Sequence, residues 1–107
     1  MTQLEVTVTR EGDYDLLRVS GPVNSYTFTE FQDKVFRSIA AANLVIDMEN
    51  VTTLSSAGIG VLMAALDDAE DAGRRLAVLR PSEIVKLAFD STGFAERFPI
   101  IQSVKDF

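Results

Sequence analysis

The sequence contains no cysteine and no histidine. Without cysteine the chain forms no disulfide and no thiolate metal site. Without histidine it lacks the Ser-His-Asp and Cys-His nucleophile systems and every histidine-ligated zinc site. Because the common hydrolase mechanisms depend on these groups, we expect a protein that is not an enzyme and that needs no cofactor or metal ion.

Positive charge is also scarce. Lysine and arginine number 10 against 16 aspartate and glutamate residues, for a formal net charge of -6. A nucleic-acid binder needs a basic surface to neutralise phosphates. The composition therefore excludes a nucleic-acid partner and favours proteins or small molecules.

Long apolar runs are missing. No stretch approaches the roughly 18 residues of a membrane span, and the first residues lack the basic and apolar regions of a signal peptide. We therefore expect no membrane association and a cytoplasmic location. The chain has 107 residues and 47% hydrophobic content. This predicts one domain over residues 1–107, with a hydrophobic core large enough to be stable without disulfides or a structural metal ion.

The first third of the chain predicts a hairpin and a helix. Residues 4–9 alternate apolar and polar side chains like a strand with one wet face, and residues 14–19 resume β character after a polar turn. Gly21-Pro22 is expected to end this second strand, and Asn24 and Ser25 are N-cap candidates for the helix. The apolar face of that helix comprises Phe28, Phe31, Val35, Phe36 and Ile39.

Two short hydrophobic runs, residues 44–48 and 76–79, have the composition of strands buried on both faces of a parallel sheet. Residues 99–101 predict a last short strand, preceded by a helical turn over residues 95–98. We expect the sheet core to include Val45, Ile46, Val78 and Leu79.

Helices are predicted after each buried strand. Helical spacing of apolar residues runs from Ala57 to Ala72, where Gly73 is a typical C-terminal stop. Pro81-Ser82 opens a helix over residues 83–90, and Ser91-Thr92-Gly93 closes it. Together these elements predict a single α/β domain with a mixed sheet, in which an opening hairpin is followed by parallel strands and the helices pack on the sheet.

Residues 47–62, DMENVTTLSSAGIGVL, contain serines and glycines that packing of a hydrophobic core does not by itself require. This stretch places Ser55-Ser56 at the carboxyl end of a central strand, where ligand sites of α/β sheets cluster. Serine is also a favoured N-cap. Gly58 and Gly60 in the helix start cost about 1 kcal/mol each relative to alanine, which indicates either close packing on the sheet or close approach by a partner or an anion.

The order of elements and the segment VIDMENVTTLSSAGIGVLMAAL resemble the STAS domain family, the bacterial anti-sigma factor antagonists. Gly21-Pro22-Val23-Asn24 and Phe89-Asp90-Ser91-Thr92-Gly93-Phe94 match two further segments of that family. Its central pattern reads Asp-Ser-(Ser/Thr/Ala)-Gly-(Leu/Ile)-Gly, and the serine is phosphorylated. The resemblance therefore implies a STAS-like fold with Ser56 as the phosphoacceptor.

The resemblance also implies partners. In the family, the unphosphorylated antagonist binds an anti-sigma factor that is also a serine kinase, and a sigma factor is freed; a PP2C-type phosphatase is the second implied partner. The implied partner-binding residues are Asn24, Ser55, Ser56, Ala57, Gly58, Ile59 and Gly60. Ser55 and Asn24 stand where the family has aspartates, so two negative charges beside the acceptor are absent.

Other functions remain open for this fold. The serine turn fits a constitutive docking surface in a stressosome-type complex or a lipid transporter component. The helix start around Gly58 and Gly60 fits an anion site in a small-molecule or nucleotide sensor. Elsewhere, the acidic run over residues 67–71 is interpreted as a solvated helix face rather than a metal site, and Ser91 as part of a helix stop.

Overall fold

Strands and helices alternate along the chain after an opening hairpin, as the hydrophobic pattern predicts. The computed structural model describes residues 3–93 and 96–107. The elements are β1 Glu5–Glu11, β2 Tyr14–Val23, α1 Phe28–Ala41, β3 Asn43–Leu54, α2 Ser56–Ala72, β4 Leu76–Leu79, α3 Glu83–Thr92 and β5 Ile100–Ile101, followed by a 3-10 turn at Val104–Asp106.

The strands lie in the sheet in chain order, β1-β2-β3-β4-β5. β1 and β2 are antiparallel, and the remaining pairs are parallel. Each helical crossover steps one strand in the same direction. Because such crossovers are right-handed, the three helices lie on one face of the sheet. The predicted α/β domain with a mixed sheet is confirmed.

The main core lies between the sheet and these helices. Ile46 and Val78 of the central strands are fully buried there, with Phe31 of α1, Leu62 of α2 and Phe89 of α3. The opposite face carries a smaller cluster. There, Val45 and Leu79 are buried beside Leu16. All four residues expected in the core are therefore buried, two on each face of the sheet.

The prediction that Gly21-Pro22 ends β2 is wrong, because the strand continues to Val23. The register with β3 shifts between Gly21 and Pro22, which lets a proline sit in the strand. Gly21 has a φ of 98°, and a Cβ there would lie 2.5 Å from the Gln3 carbonyl oxygen. Glycine is therefore required where the chain before β1 crosses the end of β2.

The N-cap of α1 is Thr27, not Asn24 or Ser25. The Asn24 side-chain oxygen accepts a hydrogen bond from the Tyr26 N–H at 2.9 Å, and its carbonyl accepts one from the Phe28 N–H at 2.8 Å. These bonds form a turn that precedes the helix. Asn24 therefore shapes the entry to α1 without capping it directly.

Two elements are longer than predicted. β3 runs to Leu54 instead of Met48, because its second half pairs with the end of β2. α3 runs to Thr92, where the Thr92 hydroxyl donates to the Ala88 carbonyl at 3.0 Å, and Gly93 ends the helix in the left-handed conformation. The turn predicted for residues 95–98 includes Ala95, which lies outside the described residues.

β1 is an edge strand. Apolar and polar residues alternate along it, but its apolar side chains are only partly buried. Val6 is half-buried, whereas Val8 is 45% exposed although the pattern places it on the inward face. Among the described residues no helix is long and apolar enough to cross a membrane.

Ile46→Ala is expected to reduce the stability of the fold strongly, because Ile46 lies in the core. Because Ile46 is fully buried, this variant is expected to lose about 2–5 kcal/mol of unfolding free energy. Ile84→Ala is the matched control, because Ile84 is 45% exposed on α3, and we expect it to lose less than about 1 kcal/mol. Urea titration of both variants checks this. A loss below about 1 kcal/mol for Ile46→Ala would remove that residue from the core.

Candidate functional site

Three helices begin at one edge of the sheet, the edge formed by the carboxyl ends of β2, β3 and β4. The start of α2 is tied to β2, because the Ser55 N–H donates to the Val23 carbonyl at 2.9 Å. The start of α3 is tied to β3, because the Ser82 N–H donates to the Met48 carbonyl at 3.1 Å. Residues of separate segments are thus held together at this edge, which is where α/β sheets place their sites.

Ser55 is the N-cap of α2. Its hydroxyl accepts a hydrogen bond from the Gly58 N–H at 3.2 Å, and its carbonyl accepts one from the Ile59 N–H at 3.0 Å. With the bond to Val23, Ser55 is held by both the sheet and the helix. The capping role open to both serines therefore belongs to Ser55.

Ser56 is the first residue of α2 and its side chain is exposed. Its hydroxyl makes no hydrogen bond to any residue that the structure describes. Helical geometry leaves the N–H groups of Ser56 and Ala57 without intrahelical acceptors. The first turn of α2 also contains no acidic residue. A negative group on the Ser56 oxygen would therefore be stabilised by the helix N-terminus.

The two glycines of the helix start differ in what surrounds them. A Cβ on Gly58 would lie 2.7 Å from Leu54 Cδ1 and 2.8 Å from Val23 Cγ1. A Cβ on Gly60 would meet nothing within 4 Å, and the residue is exposed. Close packing on the sheet therefore explains Gly58, whereas the fold gives no reason for Gly60.

Asn24 lies beside the serine turn. Val23 pairs with Leu54 in the parallel register of β2 and β3. Asn24 and Ser55 follow these two residues directly, so the two turns adjoin. The side-chain oxygen of Asn24 is occupied by the Tyr26 N–H.

The structure brings the sequence-predicted site residues together and divides them by exposure. Ser56, Ala57 and Gly60 are exposed, Asn24 and Ser55 are half-buried, and Gly58 and Ile59 are buried. A molecule approaching this edge therefore meets the exposed residues, while the buried glycine and isoleucine hold the helix start in place.

Sequence reasoning missed two groups at this edge. Val23 and Leu54 confine Gly58, and no local pattern marks them for that role. Tyr26 is 94% exposed in the turn before α1. Its only sequence signal is its place between two N-cap candidates and a helix.

The acidic run of α2 lies away from this edge. Its side chains are exposed, and Asp67 and Glu70 pair with Arg97. The hydrogen bond and charge of Asp67, with the charge of Glu70, raise the pKa of the Arg97 guanidinium. In residues 3–93 and 96–107 no group of three or more acidic side chains is arranged to hold a metal ion.

Comparison with known proteins gives a family and several solved structures. The family model of the STAS domain matches residues 5–107. An anti-sigma factor antagonist from Mycobacterium paratuberculosis superposes with a TM-score of 0.87 at 21% identity, over 97% of this chain and 90% of that one. The anti-sigma factor antagonist SpoIIAA in its unphosphorylated form has a TM-score of 0.73 at 21% identity, over 99% and 91%.

A further structure is that of the Bacillus cell fate determinant SpoIIAA in the phosphorylated form. It superposes with a TM-score of 0.70 at 17% identity, over 99% of this chain and 95% of that one. At these identities the likeness shows a common fold over nearly the whole chain.

Because their surroundings differ, Gly58 and Gly60 should change the stability of the fold in opposite directions when each is replaced by alanine. Gly58→Ala forces Val23 and Leu54 to move. Because overpacking of this kind costs about 1–3 kcal/mol, we expect a net loss of stability despite the better helix propensity. Gly60→Ala is the matched control and should raise stability by up to about 1 kcal/mol. Thermal and urea unfolding measure both, and equal effects at the two positions would contradict the packing assigned to Gly58.

Proposed function

The chain belongs to the STAS domain family, and from that premise we propose that it is an anti-sigma factor antagonist switched by phosphorylation of Ser56. Unphosphorylated, it binds an anti-sigma factor serine kinase in the cytoplasm and frees a sigma factor. Phosphorylation by that kinase releases the complex, and a PP2C-type phosphatase restores the binding form. The protein acts by binding, without catalysis, cofactor, nucleic acid or membrane.

The observation that carries this proposal is the state of the Ser56 hydroxyl. It is exposed, it has no hydrogen-bond partner among the described residues, and the neighbouring serine already caps the helix. A kinase can therefore reach the Ser56 oxygen without breaking a bond that the fold needs. SpoIIAA, which shares the fold, has been solved in both unphosphorylated and phosphorylated forms.

The switch follows from the different effects of a phosphate on the fold and on an interface. A phosphoserine adds about -1.5 to -2 charges. Within the free chain the N-terminus of α2 stabilises that charge, so the domain stays folded. Within an interface built around a neutral hydroxyl, the same charge loses its water without gaining a partner. Phosphorylation therefore weakens the complex and leaves the fold intact.

The other residues of the site have two different roles, according to whether they are buried or exposed. Gly58 and Ile59 are buried, so we assign them to positioning Ser56. Ala57 and Gly60 are exposed, and we assign them to direct contact with the partner. Because Gly60 has open space around it, its bare backbone allows a partner surface to approach α2 closely.

Ser55 and Asn24 stand where the family has aspartates, and each makes a side-chain bond of a kind that aspartate also makes in such positions. Ser55 caps α2 through its side-chain oxygen, and Asn24 closes its turn in the same way. Aspartate, asparagine and serine all serve in such positions. The replacements therefore keep a side-chain acceptor in each turn and remove two negative charges near a phosphate on Ser56.

Phosphorylation is expected on Ser56 and not on Ser91. The Ser91 hydroxyl donates to the Ala88 carbonyl at 3.1 Å and lies at the end of a helix, where the dipole disfavours a phosphate. The chain is incubated with ATP and the serine kinase proposed as its partner, and the site is located by peptide mass spectrometry. Ser56→Ala should abolish labelling and Ser91→Ala should preserve it. Phosphate on Ser91 with Ser56 unmodified would show that the wrong motif was assigned.

Charge at Ser56 is expected to control binding to the kinase. Ser56→Glu should weaken the complex at least tenfold, roughly 1.4 kcal/mol, because the carboxylate must be desolvated in the interface. Ser56→Ala should bind within a few-fold of wild type, and since Ser55 is the cap, it should keep its stability. Ser91→Glu adds the same charge elsewhere and is the control.

Titration calorimetry of these variants against the kinase measures the effect. Equal affinities for Ser56→Glu and Ser56→Ala would contradict the charge switch. The site would then be better interpreted as a constitutive docking surface of the stressosome or transporter type.

A further inference from the structure

A groove of about 480 Å³ lies where α1 begins, and Pro22, Asn24, Tyr26 and Glu30 line part of it. It adjoins the Ser56 turn, because Asn24 follows Val23, whose carbonyl accepts the Ser55 N–H. A protein seated on Ser56 therefore reaches this groove with neighbouring residues. The segments that resemble the family around Asn24 and Ser56 include neither Tyr26 nor Glu30.

Tyr26 is held by its backbone while its ring stands in water. Tyr26 is 94% exposed, against 62% for Leu87 on α3. The Tyr26 N–H donates to Asn24 Oδ1 at 2.9 Å, and the next residue, Thr27, donates its hydroxyl to the Pro22 carbonyl at 2.8 Å. The turn is thus ordered before any partner arrives, which lowers the entropic cost of a contact to the ring.

Glu30 carries a carboxylate in the first turn of α1 that does not cap the helix. The sequence Thr27-Phe28-Thr29-Glu30 has the spacing of a capping box, in which threonine and glutamate bond reciprocally to each other's N–H groups. In the structure the Thr27 hydroxyl instead accepts the Asn24 N–H at 2.9 Å, and the Thr27 N–H donates to the Asn24 carbonyl at 3.1 Å. The capping box is not formed.

The Glu30 side chain makes no ion pair or hydrogen bond within the part of the chain that the structure describes. Glu83 in the first turn of α3 differs, because its carboxylate pairs with Lys86 at 3.4 Å. Glu30 is therefore an unpaired negative charge on the wall of a groove that also presents an aromatic ring.

We propose that Tyr26 and Glu30 form a receptor site for one basic side chain, a lysine or arginine of the kinase that docks on the Ser56 turn. An aromatic face attracts a cation, and a carboxylate pairs with it, most strongly with a guanidinium. The net charge of -6 draws a basic partner surface toward the chain. An anionic group would be repelled by Glu30, and an apolar one would desolvate it.

The chemistry of this site rests on the groove alone, whereas the identity of the partner rests on the proposed function. The contact would orient the kinase on the antagonist, since it lies beside the acceptor serine without involving it. Tyr26 and Glu30 are thereby specificity-determining residues for the choice of partner.

The site is tested first without the kinase. The ¹⁵N-labelled chain is titrated with N-acetyl-arginine amide and, as a neutral isostere, with N-acetyl-citrulline amide. Arginine should produce saturable NMR shifts at Tyr26, Thr27 and Glu30, and citrulline should produce none. Glu30→Gln should abolish these shifts, whereas the control Glu83→Gln should keep them. Shifts that are equal for both compounds, or that centre on Asp67 and Asp71, would overturn the proposal.

Binding to the kinase that phosphorylates Ser56 is then compared among variants. Tyr26→Ala and Glu30→Gln should each weaken binding at least fivefold, and Tyr26→Phe and Glu83→Gln should stay within twofold. The double variant should lose less than the product of the single losses, because both residues hold one cation. Unchanged melting temperatures show that the variants are folded.

The two proposals fail in different ways. If Ser56→Glu disrupts the complex while Tyr26→Ala and Glu30→Gln bind like wild type, the receptor site is overturned and the antagonist function stands. If arginine binds at Tyr26 and Glu30 and kinase binding does not depend on charge at Ser56, the basic-residue site is supported and the charge switch fails.

Discussion

The close contact of the first turn of α2 with the ends of β2 and β3 determines the geometry of the whole site. Because Gly58 has no Cβ, the side chains of Leu54 and Val23 can pack against its backbone. Ser55 forms hydrogen bonds with both the sheet and the helix. With Ser55, Gly58 and Ile59 facing the sheet, helical geometry directs Ser56 outward. An exposed serine hydroxyl at the start of α2 is thus a consequence of one tight contact between helix and sheet.

Much of the fold follows from local sequence patterns, and the failures have a common physical cause. Continuous apolar runs predicted the inner strands, and Gly73 and Gly93 marked helix ends correctly because only the left-handed conformation was needed there. The second half of β3 was missed because residues 49–53 are mostly polar. Those residues are strand because they pair with the end of β2, which no local pattern records.

The sequence predicted that the serines and glycines lie at the start of α2, but not what each of them contacts. Both serines have the propensity of a cap, and both glycines look alike in sequence. Contacts to Leu54 and to Val23, which is distant in the chain, distinguish Gly58 from Gly60. The same holds at α1, where the capping-box spacing is present and the turn formed by Asn24 redirects Thr27. Where side chains can satisfy the backbone in several ways, the tertiary structure decides among them.

In the proposed switch, a phosphate on Ser56 breaks an interface and leaves the domain folded. The most direct measurement is the affinity of the kinase for the chain fully phosphorylated at Ser56, compared with the same sample after treatment with a PP2C-type phosphatase. We predict at least tenfold weaker binding of the phosphorylated form, full recovery of affinity after dephosphorylation, and the same helix content throughout. Equal affinities for the two forms, or unfolding of α2 on phosphorylation, would contradict the proposed switch.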